Sequence, residues 1–279
     1  MLDTSTQSLE NLGFASEMRK SLGPRKRHVV DMFATICWFQ SLRIHLDAST
    51  VEAVQSAVEP PTRVSQGVLT RRWREYQLGI HTPQARVIEM SRKVSPDAAG
   101  IFESPLWNAL NLNFSAHEIA LSLIGTTSIY GDDLLARAVR FGAKNSLDPR
   151  WLRKRCQGVL REASLESLAV LAICARLAAS HGATHLAQEF CRYAGYSLLI
   201  QGIWFYAHGV AHCLGEYFET DFVPANCNEP WMCNFSSLHY VSKIGSMSLA
   251  LKRELASKQS IKSAVDEMDA LIRMIGLTP

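Results

Sequence analysis

At 279 residues, 47 % hydrophobic and 20 % charged, the chain can bury one large or two modest cores, which excludes a disordered or low-complexity class. No run approaches the ~20 consecutive apolar residues of a bilayer span; the nearest, residues 193–214, is broken by Gly195, Gln201, Gly202, His208, Gly209 and His212 and reads as buried helix. The net charge of +3 is uneven: residues 19–94 hold 13 Lys/Arg against 6 Asp/Glu, whereas residues 95–279 hold 16 against 17. A basic segment beside a near-neutral body is a footprint compatible with phosphate binding.

In chain order, the opening MLDTSTQSLENLGF lacks the basic start and apolar segment of a secretory signal, so the expected location is the cytoplasm. Residues 29–46 set Val29, Phe33, Ile36 and Cys37 close to one face, a helical periodicity. Ser49 followed by Glu52 fits a capping box, and Val51, Val54 and Val58 form the stripe of a second helix that Pro60-Pro61 ends. Leu69, Trp73 and Tyr76 then recur at spacings of four and three, and Gly79 stands where a left-handed cap stops a helix. Thr82-Pro83 reads as the N-cap and first residue of the next helix, with Val87, Met90 and Val94 inward and Ser95-Pro96 ending it. Residues 29–94 are thus read as four short helices in a basic bundle.

Helical spacing continues over residues 115–125, 132–142, 149–161, 164–180, 183–208 and 236–276, the last broken near Ser257. Asp148-Pro149 is a strong helix start, Ser164 with Ser167 a weaker one, and residues 219–234 read as a loop. No hairpin signal of the Asn-Gly type is present. The expected fold is all-α: a flexible tail over residues 1–24, a basic helix-turn-helix-like domain over 25–112 and a larger helical domain over 113–279. A second basic helix, PRWLRKRCQGVLR, carries Arg150, Arg153, Lys154, Arg155 and Arg161. Its cations read as a solvated face that also favours the helix C-terminal dipole, ahead of a second phosphate track.

With Leu69, Trp73 and Tyr76 inward, Arg71, Arg74 and Glu75 are left facing out on the Thr70–Leu78 helix, with Arg72 at the edge of that face. The arginine fork suits phosphate or a guanine edge, and Gln66 and Gln77 suit adenine. The order Trp73-x-x-Tyr76-x-x-Gly79-x-x-Thr82-Pro83, followed by Val87, Met90 and Val94, resembles the end of the Cro/repressor-type helix-turn-helix. The resemblance, spanning residues 49–94, implies that residues 65–79 are the recognition helix with its flank and that residues 49–59 are the scaffold helix before it. The link Pro60-Pro61-Thr62-Arg63 is longer than that family's turn. Residues 25–110, ending in SPLWNAL, also look like a family of bacterial proteins from which no activity carries over.

The expected function is therefore DNA binding, as a regulator or a mobile-element or defence component. Arg71, Arg72, Arg74, Gln66 and Gln77 would contact DNA, Arg25, Lys26 and Arg27 would form a flexible phosphate-binding arm, and the C-terminal helices would hold a homodimer or a protein partner. No cofactor and no membrane are expected. A protein-binding helical scaffold is the alternative. The third reading is a metal-dependent enzyme, because His-Gly-x-x-His-x-x-x-Glu occurs at His181, His185 and Glu189 and again at His208, His212 and Glu216. Ligands four residues apart share a helix face; if each His-Gly instead ends a helix, the stripe dissolves. Cys227-x5-Cys233 with His239 is wider than structural zinc spacing, and the seven cysteines read as reduced, mostly buried thiols. No Gly-rich phosphate loop, nucleophile elbow or HExxH is present.

Overall fold

The computed structural model describes residues 27–59, 66–140, 147–230, 235–238, 240 and 244, and among these every regular element is a helix. The chain divides into two compact units. One runs to Glu103 and takes in Phe205–Leu214; the other comprises Ser104–Trp204 and the residues from Gly215 on.

In the first unit, helix α1 (Val29–His45) is apolar around most of its circumference, so it becomes the centre of the bundle. Around it lie α2 (Val51–Val58), α3 (Gln66–Gln77), α4 (Ala85–Val94) and α5 (Pro96–Phe102). The bundle therefore has one helix more than the periodicity predicts. Ser95, expected only to end α4, also caps α5 by accepting from the Ala98 amide at 3.3 Å. Two other boundaries shift. Thr50 rather than Ser49 caps α2, its extended backbone aiming Oγ1 at the Ala53 amide at 3.2 Å. Helix α4 begins at Ala85 after Gln84, two residues beyond the Thr82-Pro83 start, while Pro83 is buried.

Aromatic side chains weld the core. Trp38 stacks on Trp73 at 5.7 Å and meets the edge of Tyr76 at 5.6 Å, and Trp73 and Tyr76 also pack edge to face. Both indoles find acceptors, Trp38 Nε1 donating to Ser91 Oγ at 3.0 Å and Trp73 Nε1 to Glu59 Oε2 at 3.3 Å. Gly79 ends α3 at φ +69°, where a β-carbon would lie 3.0 Å from Ile36 Cγ1 and 3.1 Å from the Met32 carbonyl oxygen. His208 belongs to this unit, its Nε2 2.8 Å from Ser41 Oγ.

The second unit contains α6 (Pro105–Leu110), α7 (Ala116–Leu123), α8 (Ile129–Ala138), α9 (Pro149–Glu162), α10 (Leu165–Ser180) and α11 (Thr184–Ile200). Helix α10 is buried along almost its whole length and is the central element. Its Arg176, itself buried, donates to the carbonyls of Asn108, Ala109 and Phe114, and the Tyr217 hydroxyl donates to the Leu110 carbonyl at 2.7 Å. These donors satisfy carbonyls at and beyond the end of α6 that its own ladder leaves open. That arrangement is why α6, expected to close the basic domain at residue 112, groups with the second unit.

Asp148 caps α9 through the Arg150 amide at 3.2 Å, and Ser164 caps α10 through the Ser167 amide at 3.1 Å, both as predicted. Helix α8 starts earlier than residue 132, because Ser128 caps it and Asp132 instead accepts from Thr127 Oγ1 at 2.6 Å. The predicted helix over 183–208 is two helices, α11 and α12 (Gly202–Ala207), with buried Gln201 between them reaching the Ser164 carbonyl. A further helix α13 (Ala211–Tyr217) continues into the start of the expected loop as a π-turn (Phe218–Phe222) and α14 (Val223–Asn226), with Phe218 stacked on Phe222 at 5.0 Å. Most of residues 236–276, along with Cys233 and His239, lie outside the described residues.

Candidate nucleic-acid interface

Helix α3 presents two kinds of side chain because its inner face is pinned. Trp73 and Tyr76 are buried in the aromatic core, so residues 71 and 74, on the opposite side of a 3.6-residue turn, must face out. The Arg71 side chain is 83 % exposed and that of Arg74 64 % exposed. Both arginines have carboxylate partners, one on α3 itself and one on α2. Arg71 Nε lies 3.1 Å from Glu75 Oε1, and Arg74 Nη2 lies 2.9 Å from Glu52 Oε1 on α2. His81 Nε2 approaches the other Glu75 oxygen at 3.4 Å, so Glu75 sits between two potential cations. The Glu52 carboxyl is held below the usual glutamate range by the backbone amide at its own helix start and then by the Arg74 hydrogen bond.

The other expected contacts separate. Arg72 and Gln77 are half-buried, and Arg72 lies beside Tyr76, whose hydroxyl burial raises above its ordinary range while the Arg72 charge pulls it back. Gln66 is the first residue of α3, and Arg25 and Lys26 lie outside the described residues. Arg27 is no free arm. Its Nη1 donates to the Gly79 carbonyl at 2.6 Å, and its Nη2 donates to the Asp31 carbonyl at 2.6 Å and to Thr35 Oγ1 at 2.5 Å. The guanidinium therefore ties the end of α3 to the first turns of α1 through both of its terminal nitrogens.

The histidine stripes come apart where each His-Gly ends a helix. Gly182 and Gly209 take left-handed φ values of +70° and +72°. His181 turns Nδ1 to the Leu177 carbonyl at 2.7 Å, His208 is buried against Ser41, and Glu189 pairs with Arg192 at 2.8 Å. His185 is exposed, and His212 and Glu216 are half-buried. Among the described residues no group of three His, Cys, Asp or Glu side chains could hold a metal ion. The described cysteines are free thiols, and burial raises those of Cys37, Cys156 and Cys174 above the usual range, which keeps them protonated and unreactive.

Outside the first unit, α9 carries Arg150, Arg153, Lys154 and Arg161 exposed, while Arg155 pairs with Asp133 at 2.8 Å and lies over the Tyr130 ring at 5.6 Å. No described helix is long and apolar enough to cross a membrane. No protein-family model matches the sequence, and neither a curated protein nor a solved structure matches it.

Proposed function

We propose that this protein binds duplex DNA through the outer face of α3, with Arg71 and Arg74 as the principal contacts. The observation that carries the reading is their joint exposure on a helix whose opposite side is locked by Trp73 and Tyr76 and which follows the short capped helix α2. A rigid helix presenting basic side chains after a scaffold helix is the arrangement that enters a major groove. The carboxylate partners do not oppose this, because exposed ion pairs contribute only about 0–1 kcal/mol and a phosphate can take the carboxylate's place. Gln77 and Gln66 would extend the contact along the helix, and Arg25 and Lys26 would add phosphate contacts. In this role the protein serves as a regulator or as part of a mobile-element or defence system. Fluorescence anisotropy with a labelled duplex tests it. Arg71→Ala with Arg74→Ala should flatten the slope of log affinity against log salt by about 1.8, at about 0.9 for each phosphate no longer neutralised. Unchanged affinity and slope in the double variant would remove the reading.

A second reading, a helical scaffold that binds protein only, is favoured by apolar side chains exposed in the second unit. Ile129 at the start of α8 is 78 % exposed, and Leu121 on α7 and Ile124 just after it are exposed as well. Its simplest partner is a second copy of this chain. Light scattering after size exclusion checks it, with dimer mass expected and a monomer throughout the micromolar range refuting it.

A further inference from the structure

We propose that α9 is a second, independent phosphate-binding surface, and that its ligand is the backbone of duplex DNA. Arg150, Lys154 and Arg161 fall within about 40° of one another at 100° per residue, and Arg153 widens the stripe to about 100°. All four are exposed, and none forms an ion pair among the described residues, in contrast to the carboxylate-paired Arg71 and Arg74. Of the acids on and around α9, Asp133 pairs with Arg155, Glu189 pairs with Arg192, and Asp132 and Asp148 accept from Thr127 and from the helix start; exposed Glu162 at the very end of α9 accepts from Ser167 Oγ at 3.5 Å, and Glu166 is half-buried on α10. Between Arg150 and Arg161 the sequence holds five Lys/Arg and no acid, whereas the rest of residues 95–279 holds 11 Lys/Arg against 17 Asp/Glu.

Geometry decides the class of partner. The stripe is about 16 Å long at 1.5 Å per residue, the length of duplex axis over which one strand carries about five phosphates at about 3.4 Å of axis each. Three of the four cations are arginines, whose fork takes phosphate oxygens in pairs. A membrane surface fits less well, because α9 exposes no large apolar side chain for insertion. Leu152, Cys156, Val159 and Leu160 are buried, and Trp151 is half-buried with the Arg137 guanidinium 4.3 Å from its ring centroid. A backbone contact of this kind adds affinity and carries no sequence preference. This surface shares only its partner class with the α3 reading and lies in the other unit.

The test uses the full chain and a labelled duplex over a salt series, with Arg150→Gln, Arg153→Gln, Lys154→Gln and Arg161→Gln combined. The slope of log affinity against log salt should flatten by about 2 to 3.5, with equal weakening on unrelated sequences. Changing the three arginines to lysine should restore the slope. If the four-fold variant melts early, Arg150→Gln with Lys154→Gln alone should flatten the slope by about 1.8. An unchanged slope, a lysine variant as weak as the glutamine one, or weakening confined to phosphatidylserine-containing vesicles would overturn the proposal. Run beside the Arg71/Arg74 double variant, a flattened slope in one series alone sinks only the other surface.

Discussion

Replacing Arg27 with alanine separates a structural arginine from a ligand-binding one. Its guanidinium makes three hydrogen bonds of 2.5–2.6 Å to two backbone carbonyls and a hydroxyl. Hydrogen bonds from a charged donor contribute about 1.5–3 kcal/mol each in isolation, but they share one side chain and do not add. The Gly79 carbonyl at the end of α3 would give up its guanidinium donor, and water would replace part of that hydrogen bond. The expected net destabilisation is about 2–4 kcal/mol. In urea, with a slope of about 1–3 kcal/mol/M, this moves the midpoint of the first unit's transition down by about 0.7–4 M. Tryptophan fluorescence is a suitable probe because Trp38 and Trp73 both sit in that unit's core. Arg27→Lys, which places one ammonium where a fork spans three acceptors, should recover less than half of the stability. Hydrogen exchange at the end of α3 should accelerate in parallel. A shift in Arg27→Ala below about 0.5 kcal/mol, the range of ordinary surface substitutions, would refute the clamp.

Gly79→Ala should destabilise the same unit by about 2–3 kcal/mol, since the left-handed backbone alone costs about 1–2 kcal/mol with a β-carbon and the Met32 carbonyl cannot move aside freely; an unchanged melting temperature would contradict it. The Glu52–Arg74 pair should give a pH-dependent contribution. A glutamate whose folded pKa is lowered stabilises fully above its unfolded pKa and loses that contribution as pH falls through the folded value, so Arg74→Ala should weaken the protein at neutral pH and converge with wild type in acid. Urea titrations across the acid range check the convergence, and a constant difference would refute it. His208→Phe and Ser41→Ala should show a coupling of about 0.5–1.5 kcal/mol in a double-mutant cycle, whereas additive effects would mean that the 2.8 Å contact does not form in solution.

What the sequence by itself determined is what neighbouring residues control. Helix periodicity, the caps at Asp148 and Ser164 and the stop at Gly79 all follow from interactions within a turn or two, and the all-α class follows from them. The shared outward placement of Arg71 and Glu75, four residues apart on one helix, was legible too, whereas their ion pair is seen only in the structure. Local pattern missed two starts by a residue or two: at α2 the extended backbone brings Thr50 Oγ1 rather than Ser49 to the free amide, and α4 starts at Ala85 after Gln84 with no side-chain cap at all. Only the tertiary structure decided the partners of the charged groups. Arg74 meets Glu52 across 22 residues, and Arg27 meets Gly79 across 52, because packing of Trp38, Trp73 and Tyr76 sets where α1, α2 and α3 lie. The same packing turned Arg27 from an expected arm into a clamp. In α9 the one acid is Glu162 at its C-terminal end, and none of the four exposed cations forms an ion pair among the described residues.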